Sequence, residues 1–254
     1  MVFNPFKNRE EVEWTNTWIE ACDHPDKKRA LFIGDSVTRE IRSEMSKLYT
    51  DFAFDYIGTS SSFDDPCFYN IFDAFFSNNL YKYKLVFINI GAKHCWYIHT
   101  AKNRKAASDY KKSFKNFIKY MKDHVAGAKI FILDTPPNRL KDNCSIWDET
   151  TNDEIFKRNK IQHSIAKDFG ISVICLWDFV ISKQYVYRDH CHFLNREASG
   201  EISRYIASFC SEMKLSECKS KANQINECNT LKSENNKLSY KLFGFIPLLS
   251  IEEK

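Results

Sequence analysis

The sequence has no apolar run near the roughly 20 residues a helix needs to cross a bilayer. It also has no Gly-x-Gly-x-x-Gly or Walker-type loop after any apolar stretch. The first absence argues against a membrane-spanning helix, the second against a nucleotide-binding α/β protein. An excess of one charge is lacking too: 37 basic residues face 33 acidic ones, for a formal charge of +4. The lysines are spread along the chain with no aromatic-interleaved basic patch, so no nucleic-acid partner is expected. Residues 1–23 lack a signal peptide's apolar centre, which makes a reducing cytoplasm the expected compartment. The nine cysteines are scattered and odd in number. Most sit in apolar segments such as Val173-Ile174-Cys175-Leu176, where a thiol packs as a small hydrophobe. No CxxC pair occurs. Cys191 lies between His190 and His192 without one, and no metal site is expected.

What is present is a succession of short apolar runs, each ending in small or polar residues and followed by a helical pattern. Residues 30–33, fully apolar, stop at Gly34-Asp35-Ser36, and apolar positions then recur at Ile41, Met45 and Leu48. This is the pattern of a buried parallel strand running into a helix. Residues 52–57 alternate and end at Gly58-Thr59-Ser60-Ser61-Ser62; residues 85–90 end in Asn89-Ile90-Gly91. Residues 128–133 break at Asp134-Thr135-Pro136-Pro137-Asn138 into a polar loop reaching Asp148, and residues 171–176 form a fifth run. Helical spacing covers residues 70–79, 104–125 (Tyr110, Phe114, Phe117, Ile118, Met121), 152–169 and 196–210. Five strands alternating with helices predict an α/β fold with a three-layer, doubly wound, mostly parallel sheet. Residues 1–28 are expected to be an N-terminal extension with one helical piece, Phe6, Trp14 and Trp18 covering the sheet edge. The catalytic domain is expected over 29–213 and a polar tail over 214–254.

Chemistry-bearing residues gather at the strand ends. Ser36 falls at a strand C-terminus and a helix N-terminus, where backbone N–H groups favour developing negative charge. Alternatively, Asp35 or Ser36 simply caps the helix. Gly58 is either a second oxyanion donor through its N–H or an ordinary turn glycine. Asn89 either aims its amide at the same point or ties down a loop backbone. His94 and Trp96 follow closely enough to line a cleft, although a lone histidine is commonly structural. Arg39, one helical turn beyond Ser36, either holds an anionic sugar, a phosphate or a loop, or pairs with a carboxylate of a neighbouring helix. After the fifth run comes Asp189-His190-Cys191-His192. An Asp and a His three apart on a loop can let the carboxylate accept from Nδ1–H, leaving Nε2 to take a serine proton. His190 is the poorer base, because the adjacent Asp189 points elsewhere in most loop geometries. A surface pair is the plain meaning of Asp-x-x-His alone, but the four blocks together put every required group on one sheet edge.

These four blocks, over about residues 29–210, resemble the SGNH/GDSL-type esterases and acyltransferases. Gly34-Asp35-Ser36-x-x-Arg39 and Asn89-x-Gly91 resemble the PC-esterase-like branch of carbohydrate O-acetyltransferases and esterases. The resemblance implies an SGNH/flavodoxin-like sheet, with Ser36 as nucleophile, His192 as general base and Asp189 as its orienting acid. The Ser36 N–H, Gly58 and Asn89 would form the oxyanion hole. The third block departs from the Gly-x-Asn-Asp of many family hydrolases, and the second has only Gly58 to match. The implied function is O-acetyl transfer to, or removal from, a surface glycan or its precursor. Hydrolysis would need no cofactor, whereas transfer would need an acetyl donor such as acetyl-CoA. A catalytically silent glycan-binding or assembly module is the competing expectation. In the tail, Leu215, Cys218, Ala222 and Ile225, then Cys228, Leu231 and Leu238, have the offset spacing of a broken short coiled coil. Self-association, or a polar linker, is expected there. The apolar end at 242–249 resembles C-termini of bacterial surface-glycan glycosyltransferases, which implies a glycan-assembly partner or peripheral contact with the inner membrane face.

Overall fold

The computed structural model describes residues 14–61, 66–78, 81–90, 107–183, 185, 187–193, 196–211 and 213. Phe6, Gly91, His94, Trp96 and the tail from 214 lie outside them. Strand β1, Thr15–Trp18, precedes β2, Lys28–Gly34, which leads into helix α1, Ser36–Leu48. Strand β3, Phe52–Thr59, is followed by α2, Pro66–Asn78, and β4, Leu85–Asn89, by α3, Ala107–His124. Then come β5, Lys129–Leu133, α4, Glu149–Phe169, β6, Ser172–Ile174, α5, Leu176–Lys183, and α6, Arg196–Ala207.

The sheet order is β1-β3-β2-β4-β5-β6. All neighbours pair parallel except β1, which runs antiparallel to β3. The five parallel strands thus take the flavodoxin-like 2-1-3-4-5 order, with β2 central and the chain reversing direction beside it. The apolar run of β2 is explained by burial on both faces. Ala30 and Phe32 point into a core shared with α1, α5 and α6, and Leu31 and Ile33 into one shared with α2, α3 and α4. This is the three-layer arrangement predicted from sequence.

Two elements differ from expectation. The helical piece expected near the N-terminus is instead β1 over its described part, pairing Thr15 with Thr59 and Trp18 with Tyr56. Its addition explains why β3, whose sequence alternates like a half-exposed strand, is buried at all eight positions. The fifth predicted strand is shortened to three residues, because Leu176–Lys183 turns into α5. Leu176, Trp177 and Val180 carry the helical spacing that buries it.

Asp55 is fully buried in β3 beside Arg29 of β2, whose Nη1 donates to both carboxylate oxygens at 2.9 and 3.0 Å. Tyr83 and the Glu20 N–H complete the carboxylate's bonding, and Arg29 also donates to the Ala21 carbonyl. The buried pair therefore ties β2, β3 and the turn after β1 into one unit. Removing one partner strands the other charge in a dry site. Asp55→Ala is expected to lower the unfolding free energy in urea by about 3–5 kcal/mol, whereas Asp55→Leu with Arg29→Met recovers most of the loss.

Candidate active site

The β2–α1 junction is built by close packing. A Cβ on Gly34 would come within 2.3 Å of the Asn89 carbonyl oxygen and of Thr38 Oγ1. Asp35 caps α1: its Oδ1 accepts from the N–H groups of Val37 and Thr38 at 3.0 and 3.4 Å. The buried Tyr56 hydroxyl donates to the Asp35 carbonyl at 2.8 Å. Burial raises the pKa of that hydroxyl far above its usual range, so it stays protonated and able to donate. Ser36 is the first helical residue, so its N–H has no intrahelical acceptor, and the Asp35 carboxylate serves the next two donors. The cap belongs to Asp35, and the Ser36 hydroxyl is left for another partner.

That partner is His192, 156 residues away. Its Nε2 lies 2.7 Å from Ser36 Oγ, and its Nδ1 lies 2.9 and 3.0 Å from the two oxygens of Asp189. An ionised carboxylate can only accept, which puts the imidazole hydrogen on Nδ1 and leaves Nε2 as the acceptor for the serine hydroxyl. Asp189 Oδ1 also accepts from the Cys191 and His192 N–H groups at 3.0 and 2.8 Å. Partial burial opposes ionisation of Asp189, but those N–H groups and the imidazole outweigh it and hold the carboxyl well below the usual range. His190 stays 3.9 Å from the same carboxylate. The loop is closed by a bridge between Tyr187 and Phe193 and by the Arg188 N–H on the His192 carbonyl at 2.9 Å.

Supports that the sequence reading missed hold this loop to the sheet edge. Arg188 pairs with Glu40 of α1, joining the histidine loop to the serine helix. The Arg139 N–H donates to the His190 carbonyl at 2.7 Å, and the Tyr187 hydroxyl to the Pro137 carbonyl at 2.8 Å. The 135–138 segment is in turn clamped by α4. Asn159 bonds both the N–H and the carbonyl of Thr135, and Asn152 does the same for Asn138. The available signal was two asparagines seven apart, two turns along one helix face, opposite the Pro-Pro break.

The other predicted residues are placed as follows. Gly58 lies inside β3, opposite Gly34 on one side and Asn16 on the other. The Ser60 N–H donates to the Trp14 carbonyl, and the two-residue period of an antiparallel ladder turns the Gly58 N–H toward β1 as well. A Cβ at Gly58 would come within 2.4 Å of the Gly34 carbonyl oxygen and 1.9 Å of the Tyr56 hydroxyl oxygen. The geometry therefore gives Gly58 close strand packing, in place of the expected oxyanion donation. Asn89 is buried, and its amide donates to the Leu133 and Asp134 carbonyls, each at 3.1 Å. This corresponds to the loop-tying alternative, and the amide orientation follows from having two carbonyls to satisfy. Arg39 is exposed, one turn beyond Ser36. Two groups of potential metal ligands occur among the described residues: Asp134 with His163 and Cys175, and Asp189 with Cys191 and His192.

No protein-family model and no curated protein matches the sequence. Solved structures do match the fold. The acetyl xylan esterase AlAXEase aligns with a TM-score of 0.56 at 16% identity, over 72% of this chain and 99% of that one. A GDSL-like lipase from Bacteroides thetaiotaomicron aligns at 0.51 and 14%, over 72% and 88%. The chain has the SGNH/GDSL hydrolase fold. Axe2, an acetylxylan esterase from Geobacillus stearothermophilus, aligns at 0.50 and 12%, over 71% and 93%. In this fold as the chain builds it, Ser36 opens the helix after the central strand, and the loop carrying His192 precedes α6.

The two candidate jobs of Asn89 separate experimentally. Asn89→Ala is expected to cost about 1–3 kcal/mol of stability by removing the amide from the Leu133 and Asp134 carbonyls. Loss of an oxyanion donor would instead lower kcat by about 10²–10³. Chemical unfolding and ester turnover on the same variant distinguish the two.

Proposed function

We propose that this SGNH-fold protein is a serine esterase or O-acyltransferase that acts on a small acyl ester, acetyl above all, of a carbohydrate through an acyl-Ser36 intermediate. The observation that carries the reading is the relay Ser36 Oγ–His192 Nε2 at 2.7 Å and His192 Nδ1–Asp189 at 2.9 Å. An assembled relay supports chemistry over a silent binding module, which would have no need for an acceptor nitrogen at the serine hydroxyl.

In the proposed reaction, Ser36 Oγ attacks the ester carbon and its proton passes to His192 Nε2. The carbonyl oxygen becomes an oxyanion facing the Ser36 N–H, at the positive end of α1. Asp189 remains ionised and stabilises the imidazolium. Collapse breaks the ester bond, and the departing sugar oxygen takes the proton from His192. In the second half, water or a sugar hydroxyl gives its proton to His192 and attacks the acyl carbon; the bond to Ser36 Oγ then breaks, and that oxygen takes the proton back from His192. Water as acceptor gives an esterase, as the names of two matched structures suggest. A sugar hydroxyl gives a transferase, as the resemblance of the Gly-Asp-Ser-x-x-Arg block suggests, with the exposed Arg39 guanidinium one turn from Ser36 to hold the acceptor.

Turnover of p-nitrophenyl acetate by wild type and Ser36→Ala, with and without sugar acceptors, tests the reading. Ser36→Ala is expected to lower kcat by a factor on the order of 10⁴ or more. An acetylated sugar among the products identifies a transferase, and equal turnover by both proteins contradicts the proposal. A general base acts only in its unprotonated form, so activity should be lost in acid. Asp189 is held below the usual carboxylate range, so the acid limb should follow a single proton. A steeper limb would mean that Asp189 titrates along with it.

A further inference from the structure

The loop that carries Asp189 and His192 holds a third ligating atom that the acyl-transfer reading leaves unused. Cys191 carries a reduced, half-buried thiol, and its Sγ lies 3.4 Å from His192 Nδ1. That nitrogen lies 2.9 Å from Asp189 Oδ2. One sulfur, one nitrogen and one oxygen donor thus stand within 4.8 Å of one another. Ligands about 2.0–2.3 Å from a tetrahedral zinc ion are separated from each other by roughly 3.3–3.8 Å. The sulfur–nitrogen contact at 3.4 Å falls within that spacing, and the nitrogen–oxygen contact at 2.9 Å has to widen by a few tenths of an ångström, roughly 0.4 Å, to reach it. The Cys191 N–H on Asp189 Oδ1 fixes the thiol's backbone in the same turn that orients the carboxylate.

We propose that Asp189, Cys191 and His192 form a binding site for a soft divalent cation of the zinc or cadmium class, and that its occupation switches the relay off. The binding stands on the three ligand atoms; only its effect on turnover rests on the acyl-Ser36 reading. Thiolate and imidazole ligands select zinc over magnesium or calcium, and three protein ligands leave a fourth position for water. On binding, the Cys191 thiol releases its proton to solvent and the S–H bond gives way to a metal–sulfur bond. The imidazole hydrogen leaves Nδ1, which becomes a ligand, and the neutral ring carries it on Nε2. No electron is transferred. A ring protonated at Nε2 donates to Ser36 Oγ and cannot accept the serine proton, and Asp189 loses the Nδ1–H it had oriented.

The second group of donors, Asp134, His163 and Cys175, is the internal control. Asp134 already accepts from the Trp177 N–H at 2.8 Å and contacts His163 Nε2 at 3.1 Å. Chelator-treated full-length protein is titrated with Co²⁺, reading the near-ultraviolet thiolate-to-cobalt charge-transfer band. The band is expected in wild type and Cys175→Ser, to be lost in Cys191→Ser, and to be competed away by Zn²⁺. Zn²⁺ should inhibit p-nitrophenyl acetate turnover by wild type, reversibly with chelator, and Mg²⁺ should not. Cys191→Ser should be less sensitive to Zn²⁺ by about tenfold or more, since even partners outside the first coordination sphere are worth that much. Absence of the band in wild type, or its loss in Cys175→Ser with retention in Cys191→Ser, overturns the site. A Cys191-dependent band in a protein that turns over no ester supports the metal site and overturns the reading of Ser36.

Discussion

The close approach of three strand ends underlies the whole site. At the carboxyl ends of β2, β3 and β4, the backbones at Gly34, Gly58 and Asn89 pack too tightly for a side chain at either glycine, since each added Cβ would sit within 2.4 Å of a backbone oxygen. That constriction forces the chain to turn at Asp35, and the carboxylate cap with the Tyr56 hydroxyl fixes the turn. Ser36 consequently appears at one defined point, the first position of a helix aimed out of the sheet edge. Placing His192 within 2.7 Å of it then requires only that the loop before α6 be held against α1. The Arg188–Glu40 pair and the clamped 135–138 segment do this.

The parts legible in the sequence were those with short-range signatures. Doubly buried β2 and β4 read as uninterrupted apolar runs, and Gly34-Asp35-Ser36 and Asp189-x-x-His192 mark the points where strand and loop chemistry meet. The parts that were not legible depend on tertiary context. Thr15–Trp18 contains no alternation that identifies a strand, and its strand state comes from pairing with β3. The alternation of β3 suggested one wet face, but β1 covers the edge and Asp55 is buried because Arg29 faces it. Gly58 and Asn89 carried the right residue types for oxyanion donors. Their neighbours, however, commit them to strand packing and to the Leu133 and Asp134 carbonyls. A donor type read from sequence says nothing of which acceptor will reach it first.

The same local turn serves several purposes in the histidine loop. Two backbone N–H groups and an imidazole converge on Asp189 and favour its ionised form, and the turn that brings those N–H groups also brings the Cys191 thiol to Nδ1, the nitrogen that faces the carboxylate. One nitrogen of the imidazole thus has both a carboxylate oxygen and a thiol sulfur beside it.

The most direct test of the central claim is intact-mass and peptide analysis of the protein after reaction with a fluorophosphonate. A single adduct mapped to Ser36 in wild type and absent from His192→Ala is the predicted result, since only a hydroxyl whose proton is accepted by His192 should react. No adduct in wild type, or an adduct at Ser36 that persists when His192 is replaced, would contradict the account.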